Sequence, residues 1–196
     1  MSQNIEIEFK NLLTKAEYEK FLVEFNLDKQ QIFSQENHYF DTKDFALKNL
    51  GAALRIRKKG GAYEMTLKQP ATVGLLETNQ RLSTEDATVA LRFGQLPSGQ
   101  IQQLIGEMSI PFSEIEYFGS LTTNRMEWKY KNGLLVLDHS SYLNFEDYEL
   151  EYEVENFQEG QKTFQELLKQ MEIPVRKTDN KIRRFYNKKN KQQTSN

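Results

Sequence analysis

Charged and apolar side chains alternate along several short stretches of this chain, and the charged ones come in like pairs. Near the N-terminus Glu6, Glu8 and Lys10 alternate with Ile5, Ile7 and Phe9. Leu54-Arg55-Ile56-Arg57 repeats the pattern in the middle, and Glu149, Glu151 and Glu153 alternate with Leu150, Tyr152 and Val154 towards the end. A period of two marks β-strands, whose successive side chains leave opposite faces. Each stretch is therefore a strand with one apolar face and one charged face. Like charges two residues apart on one face repel. A sheet built this way must be richly hydrated or must hold something that neutralises it.

Between these strands the chain reads as antiparallel α+β. Thr14–Leu27 is a helix opened by a capping box, Thr14 with Glu17, and its stripe is Tyr18, Phe21, Leu22 and Phe25. Strands follow over 31–40, 52–58 and 63–68, the last two joined at Gly60-Gly61 as a hairpin. A further strand covers 75–82, and a helical stretch over 83–108 is interrupted at Pro97-Ser98-Gly99. Strands over 116–130, 134–139 and 145–155 precede a second amphipathic helix over 158–171, ended by Pro174. The expected organisation is a single domain over 1–187 with a polar, flexible tail over 188–196, fraying after Tyr186.

The sorting of the charges favours the second alternative for the sheet. Glutamates dominate the terminal strands, whereas Arg55, Arg57 and Lys68 sit on the central hairpin. Both amphipathic helices offer apolar stripes able to cover the outside of a curved sheet. A closed barrel of about eight strands, apolar outside and polar in the bore, satisfies these constraints and leaves room for a small ligand.

Composition narrows the chemistry. The chain has no cysteine and two histidines, which excludes thiolate catalysis and thiol-rich metal centres. Its carboxylates favour hard cations such as Mg²⁺ or Mn²⁺. The formal net charge of −2 does not mark a nucleic-acid binder. No apolar run approaches the roughly 18 to 20 residues of a membrane span, and the first residues lack a secretory profile. A cytoplasmic location, no membrane partner, and a monomer or homodimer are expected.

Several motifs, in order, resemble the CYTH superfamily of triphosphate tunnel metalloenzymes. They are Glu6-Ile-Glu8-Phe-Lys10, His38-Tyr39-Phe40-Asp41-Thr42, Leu54-Arg55-Ile56-Arg57, Met65-Thr66-Leu67-Lys68, Glu77, Arg125, Asp138, the 149–153 acidic strand, Lys177 and Asn180-Lys181. The resemblance runs from Ile5 to about Tyr186. It implies an eight-stranded antiparallel β-barrel with a charged bore and helices packed outside.

By the same resemblance Lys10, Arg55, Arg57, Lys68, Arg81, Arg125, Lys177 and Lys181 would grip phosphoryl oxygens, with Tyr39 as a further substrate contact. Glu6, Glu8, Glu151 and Glu153 would carry catalysis and hold Mg²⁺ or Mn²⁺, with Glu77, Asp138 and Glu149 as further metal candidates. One departure stands out. Part of the family has a lysine two residues before the arginine matching Arg125, and here that position is Thr123.

The implied activity is metal-dependent hydrolysis of inorganic triphosphate or of a triphosphate-bearing organic compound such as thiamine triphosphate. The alternatives are an adenylate cyclase, which would use a ribose oxygen in place of water, and a non-catalytic polyphosphate or nucleotide sensor. Alternation puts His139 and His38 on faces opposite Asp138 and Tyr39, and Met126, Trp128 and Tyr130 among exterior packing residues. Arg183-Arg184 reads as a solvated end.

Overall fold

In the computed structural model the chain is described over residues 2–194, and its side chains over 2–192. Eight strands form a closed antiparallel barrel. They are β1 (Ser2–Leu13), β2 (Phe33–Asp41), β3 (Ala53–Lys59), β4 (Ala62–Pro70), β5 (Leu75–Leu82), β6 (Glu116–Tyr130), β7 (Gly133–Tyr142) and β8 (Phe145–Val154). Around the sheet the order is β1-β5-β4-β3-β2-β6-β7-β8. Among the described residues six α-helices accompany them: α1 (Lys15–Glu24), α2 (Ala46–Asn49), α3 (Thr84–Phe93), α4 (Gln100–Glu107), α5 (Phe157–Gln170) and α6 (Lys181–Thr194). The eight-stranded α+β barrel expected from the alternation is therefore what forms.

The chain divides into two compact units. One contains Gln35–Leu121 with the first residues up to Ile5, and the other contains Glu6–Ser34 with Thr122 onwards. In the first, the apolar parity of β2–β4 supplies Phe40, Leu54, Ile56, Met65 and Leu67, packed with Leu47 of α2, Ala90 of α3 and Ile101 and Ile105 of α4. All of these are fully buried. Each large aliphatic side chain taken out of water contributes about 1.5–3 kcal/mol. The hairpin linking β3 and β4 pairs Lys59 with Ala62, leaving Gly60 and Gly61 as a two-residue loop at φ 55° and 83°. Two successive left-handed residues match the twist of the flanking strands, and glycine adopts them without a Cβ penalty.

In the second unit the apolar parity of β6–β8 contributes Met126, Leu135, Leu137, Leu150 and Tyr152. Phe21 and Leu22 of α1 and Phe164, Leu167 and Leu168 of α5 cover them. Trp128 and Tyr130 pack against the same cluster, as the alternation implies. The capping box at α1 is present: Thr14 Oγ1 accepts from the Glu17 amide and Glu17 Oε2 accepts from the Thr14 amide.

Two segments differ from the sequence expectations. The stretch after β2 contains α2, organised by Asp41, whose carboxylate accepts from the amides of Thr42, Leu47 and Lys48. The tail expected from Lys188 is helical through Thr194. Ile182, Phe185 and Tyr186 bury the first turns of α6, while Lys188 lies over the Phe145 ring at 4.4 Å and Gln192 donates to the Leu143 carbonyl. These contacts carry the helix past the point where its apolar stripe ends. The last two positions of the tail, Ser195 and Asn196, lie outside the described residues.

Candidate active site

The strand faces that the helices do not cover carry the charged side chains, and each unit presents its own group. In the first unit, strand register puts Tyr39 opposite Arg55, Asn37 opposite Arg57, and Lys68 opposite Glu77. Lys68 Nζ stands 2.5 Å from Glu77 Oε1, and Arg55 Nη2 is 3.9 Å from the same oxygen. Arg57 Nε donates to Asn37 Oδ1 at 3.0 Å. The Arg55 Nε is buried and has no hydrogen-bond partner among the described residues. A buried guanidinium donor without an acceptor is costly, and an incoming anionic oxygen would satisfy it. Tyr39 is buried beside this group, whereas Arg81 is exposed at the end of β5, opposite Glu64.

The second unit buries a denser network. Arg125 Nε and Nη2 donate in bidentate fashion to Asp138 at 2.8 and 2.7 Å, and Nη2 also reaches Glu151 Oε2 at 2.9 Å. Lys181 Nζ sits among three carboxylates: Asp138 Oδ2 at 2.8 Å, Glu149 Oε1 at 3.0 Å and Glu151 Oε1 at 2.6 Å. Arg125, Asp138, Glu149 and Glu151 are 7, 0, 0 and 5% exposed, which rules out a merely hydrated sheet face. Lys10 pairs with Glu8 on β1, and its register partner on β8 is Glu151.

Charge states follow from this packing. Burial alone would depress the Lys181 ammonium, but Asp138, Glu149 and Glu151 outweigh it and hold the lysine well above its usual range. Burial would likewise raise Glu151, yet Lys181 and Arg125 keep it well below the usual carboxylate range. Glu149 is pushed up to about 7 by burial, against the pull of Lys181. Glu153 also rises to about 7, through burial and then the nearby Glu151, Glu6 and Glu8, with Arg125 opposing.

The shift at Glu153 has a sign that can be measured. A folded-state value raised from 4.5 to about 7 contributes stability that is fully present below the unfolded value and is lost as pH rises through 7. Glu153→Gln lacks that titration. In chelator, its unfolding temperature minus that of the wild type should increase as pH goes from about 5 to about 8. A difference that stays flat with pH would mean that Glu153 ionises without penalty.

The residues expected from the sequence therefore fall into three sets. Arg55, Arg57, Lys68, Glu77 and Tyr39 come together in the first unit, and Lys10, Glu8, Arg125, Asp138, Glu149, Glu151 and Lys181 in the second, with Glu6 and Glu153 adjoining. Arg81 and Lys177 remain exposed. Asp138, Glu149 and Glu151, considered as metal candidates, are engaged by Lys181 and Arg125. Thr123 is buried and its hydroxyl meets Ser140 Oγ at 3.1 Å. His139 lies on the opposite face, stacked on Tyr148 with ring centroids 4.6 Å apart and bonded to Glu146. His38 also opposes Tyr39, but it is buried, 6.1 Å from the Tyr117 ring.

Arg183 is solvated, but Arg184 is not: Nε and Nη2 bind Asp147 at 2.9 and 3.2 Å, and the same guanidinium pairs with Glu149. Two adjacent arginines give no hint of separate fates until α6 turns them to different sides. The available signal was spacing. Arg184 is one turn from Lys181, and Asp147 shares the strand parity of Glu149.

The donors suit a hard divalent cation in kind, because Glu6, Glu8 and Glu153 are oxygen ligands whose mutual repulsion a cation would relieve. Among the described residues no three Asp, Glu or His groups already stand together at ligating spacing. A cation would therefore have to bring these carboxylates closer together.

A closed antiparallel β-barrel whose strands carry cationic and carboxylate faces is the architecture of the triphosphate-tunnel class of protein. The CYTH domain family model matches residues 4–186, and the chain belongs to this family. It is 50% identical over 191 residues to YjbK of Bacillus subtilis (strain 168), a protein whose name assigns it an unproven triphosphatase activity. The match covers 97% of this chain and 99% of that one. A crystal structure from Bacillus halodurans, provisionally described as an adenylate cyclase, superposes with a TM-score of 0.92 at 44% identity, covering 95% of this chain and 100% of that one. The Hippeastrum protein HpAC1, provisionally described as an adenylyl cyclase and reported to show a dominant triphosphatase activity, shares the fold. Its TM-score is 0.76 at 21% identity over 93% of this chain and 96% of that one. No helix among the described residues is long and apolar enough to cross a membrane.

Proposed function

We propose that this protein is a divalent-metal-dependent triphosphatase, acting on inorganic triphosphate or a triphosphate-bearing organic compound through a single functional domain. The observation that carries this reading is the Arg55, Arg57 and Lys68 group with its unsatisfied buried Arg55 Nε. The half-identity to YjbK over nearly the whole chain supports it. Arginine forks bind phosphoryl oxygens in pairs, and lysine adds a point charge. Glu6 and Glu8, with Glu153 beside them, would hold Mg²⁺ or Mn²⁺. When bound, the cation supplies neutralisation of the charge that develops on the phosphoryl oxygens. Phosphoryl transfer needs chiefly positioning and charge stabilisation. Lys181 and Arg125 keep Glu151 ionised, so that it is available to orient the attacking water. Arg57 and Lys68 fix the anion.

Purified protein should release phosphate from inorganic triphosphate with Mg²⁺ or Mn²⁺, and chelator should abolish the release. ATP and thiamine triphosphate define the substrate range. Cyclic AMP formation from ATP would instead support the second reading, cyclase activity, favoured by the description of the Bacillus halodurans relative. Tight triphosphate binding without turnover would establish a sensor, consistent with Thr123 at the family's lysine position.

A further inference from the structure

We propose that Asp147 and Arg184 form a positioning clamp that fixes α6 on β8 and so aims Lys181 into the carboxylate group. The inference rests on the reading of Lys181 as part of the functional site. Its basis is a two-rung arrangement. On β8, Asp147, Glu149 and Glu151 share one parity and succeed one another at roughly 6.7 Å intervals. On α6, Lys181 and Arg184 are three residues apart, so they project from one face about 4.5 Å apart along the axis. The upper rung joins Lys181 to Glu149 and Glu151. The lower joins Arg184 to Asp147, and Arg184 also reaches up to Glu149.

The two cations differ in what they can do. Both sides of the Arg184 fork are occupied: Nε and Nη2 hold Asp147, while Nη1 donates to the Asp179 carbonyl and meets Glu149. Asp147 is fixed in turn by the Tyr142 hydroxyl, which donates to Oδ2 at 2.7 Å. This guanidinium is thus committed to protein acceptors. Lys181 carries a compact ammonium on a flexible four-carbon stem, and it opens α6 directly after the irregular 174–180 segment. Such a stem finds three carboxylates reproducibly only if its backbone is held. The planar, bidentate Arg184–Asp147 pair one turn away is suited to that task.

The test has an arm independent of substrate and an arm that reads through Lys181. In the free protein, Arg184→Gln and Asp147→Asn should speed amide hydrogen exchange across α6 by about tenfold while leaving β7 and β8 unchanged. In steady-state assays with inorganic triphosphate and Mg²⁺ or Mn²⁺, Arg184→Gln should raise KM about tenfold with kcat changed less than about threefold. In a Lys181→Gln background the same change should raise KM no further, because both act through one contact. Arg184→Lys keeps the charge and loses the fork; it should give an intermediate effect, and it serves the comparison if the glutamine variant fails to fold.

Unchanged α6 exchange overturns the clamp whatever the activity. Equal KM increases in both backgrounds show that Arg184 acts independently of Lys181 and overturn the aiming role. If the wild type hydrolyses no triphosphate, the functional reading fails, and hydrogen exchange still decides the clamp.

Discussion

Replacing Arg125 by methionine should destabilise the fold by about 3–5 kcal/mol, because it strips a buried network of the cation bridging two carboxylates. Asp138 is fully buried and accepts both arms of the guanidinium, and Glu151 accepts a third bond. Methionine fills much of the volume, so the loss is electrostatic and not a cavity effect. Lys181 would remain as the partner of both carboxylates, and one ammonium cannot replace five fork donors. For a chain of this length the expected fall in Tm is on the order of 10 °C. The exposed i,i+4 pair Lys162–Glu166 is the control: Lys162→Ala should change stability by no more than about 0.5 kcal/mol. Thermal unfolding followed by circular dichroism reads both. Equal effects from the two variants would mean that the Arg125 network is solvated.

How much of this could be read in advance depends on the range of the interaction. Strand parity is local, so the charged faces of β1, β3 and β8 and the apolar faces behind them were legible from alternation alone. Capping is local too, and Thr14 with Glu17 announced the start of α1. The Gly60-Gly61 hairpin followed from the need for two left-handed residues. Helix α2 was missed because four residues are too few to show a period. Its organiser, Asp41, works by collecting amides up to seven positions ahead.

The extent of α6 was missed for a related reason. Its apolar residues end at Tyr186, and the contacts that prolong it come from the 143–145 turn. Arg184 shows the same limit within the candidate site. Its partner Asp147 lies 37 positions away, and only the packing of α6 on β8 reveals that one arginine of a pair is buried. Residue types and faces were thus readable, whereas the identity of each charge's partner was a tertiary fact. That is also why the family resemblance could offer Lys181 as a candidate while the carboxylates it pairs with could not be named.

The roles proposed for the two charged faces should separate kinetically. Glu6→Gln preserves shape and removes one anionic oxygen donor from the group in which Glu6, Glu8 and Glu151 already raise Glu153. If that group holds the cation, metal-dependent turnover of triphosphate should fall about a hundredfold, equivalent to a transition-state loss near 2.7 kcal/mol. The metal concentration giving half-maximal rate should rise as well. Arg57→Ala removes a charged donor that the strand register aligns with Asn37 and Glu64. A lost charge-assisted hydrogen bond to a phosphoryl oxygen costs about 1.5–3 kcal/mol of binding, which would raise KM roughly tenfold to a hundredfold with a smaller change in kcat. Neither residue is deeply buried, so both variants should unfold within a few degrees of the wild type, about the range of surface substitutions. The opposite pattern, with Glu6→Gln acting on KM alone and Arg57→Ala on kcat alone, would reverse the assignment of the two faces. Wild-type kinetics in both variants would remove these strand faces from the reaction altogether.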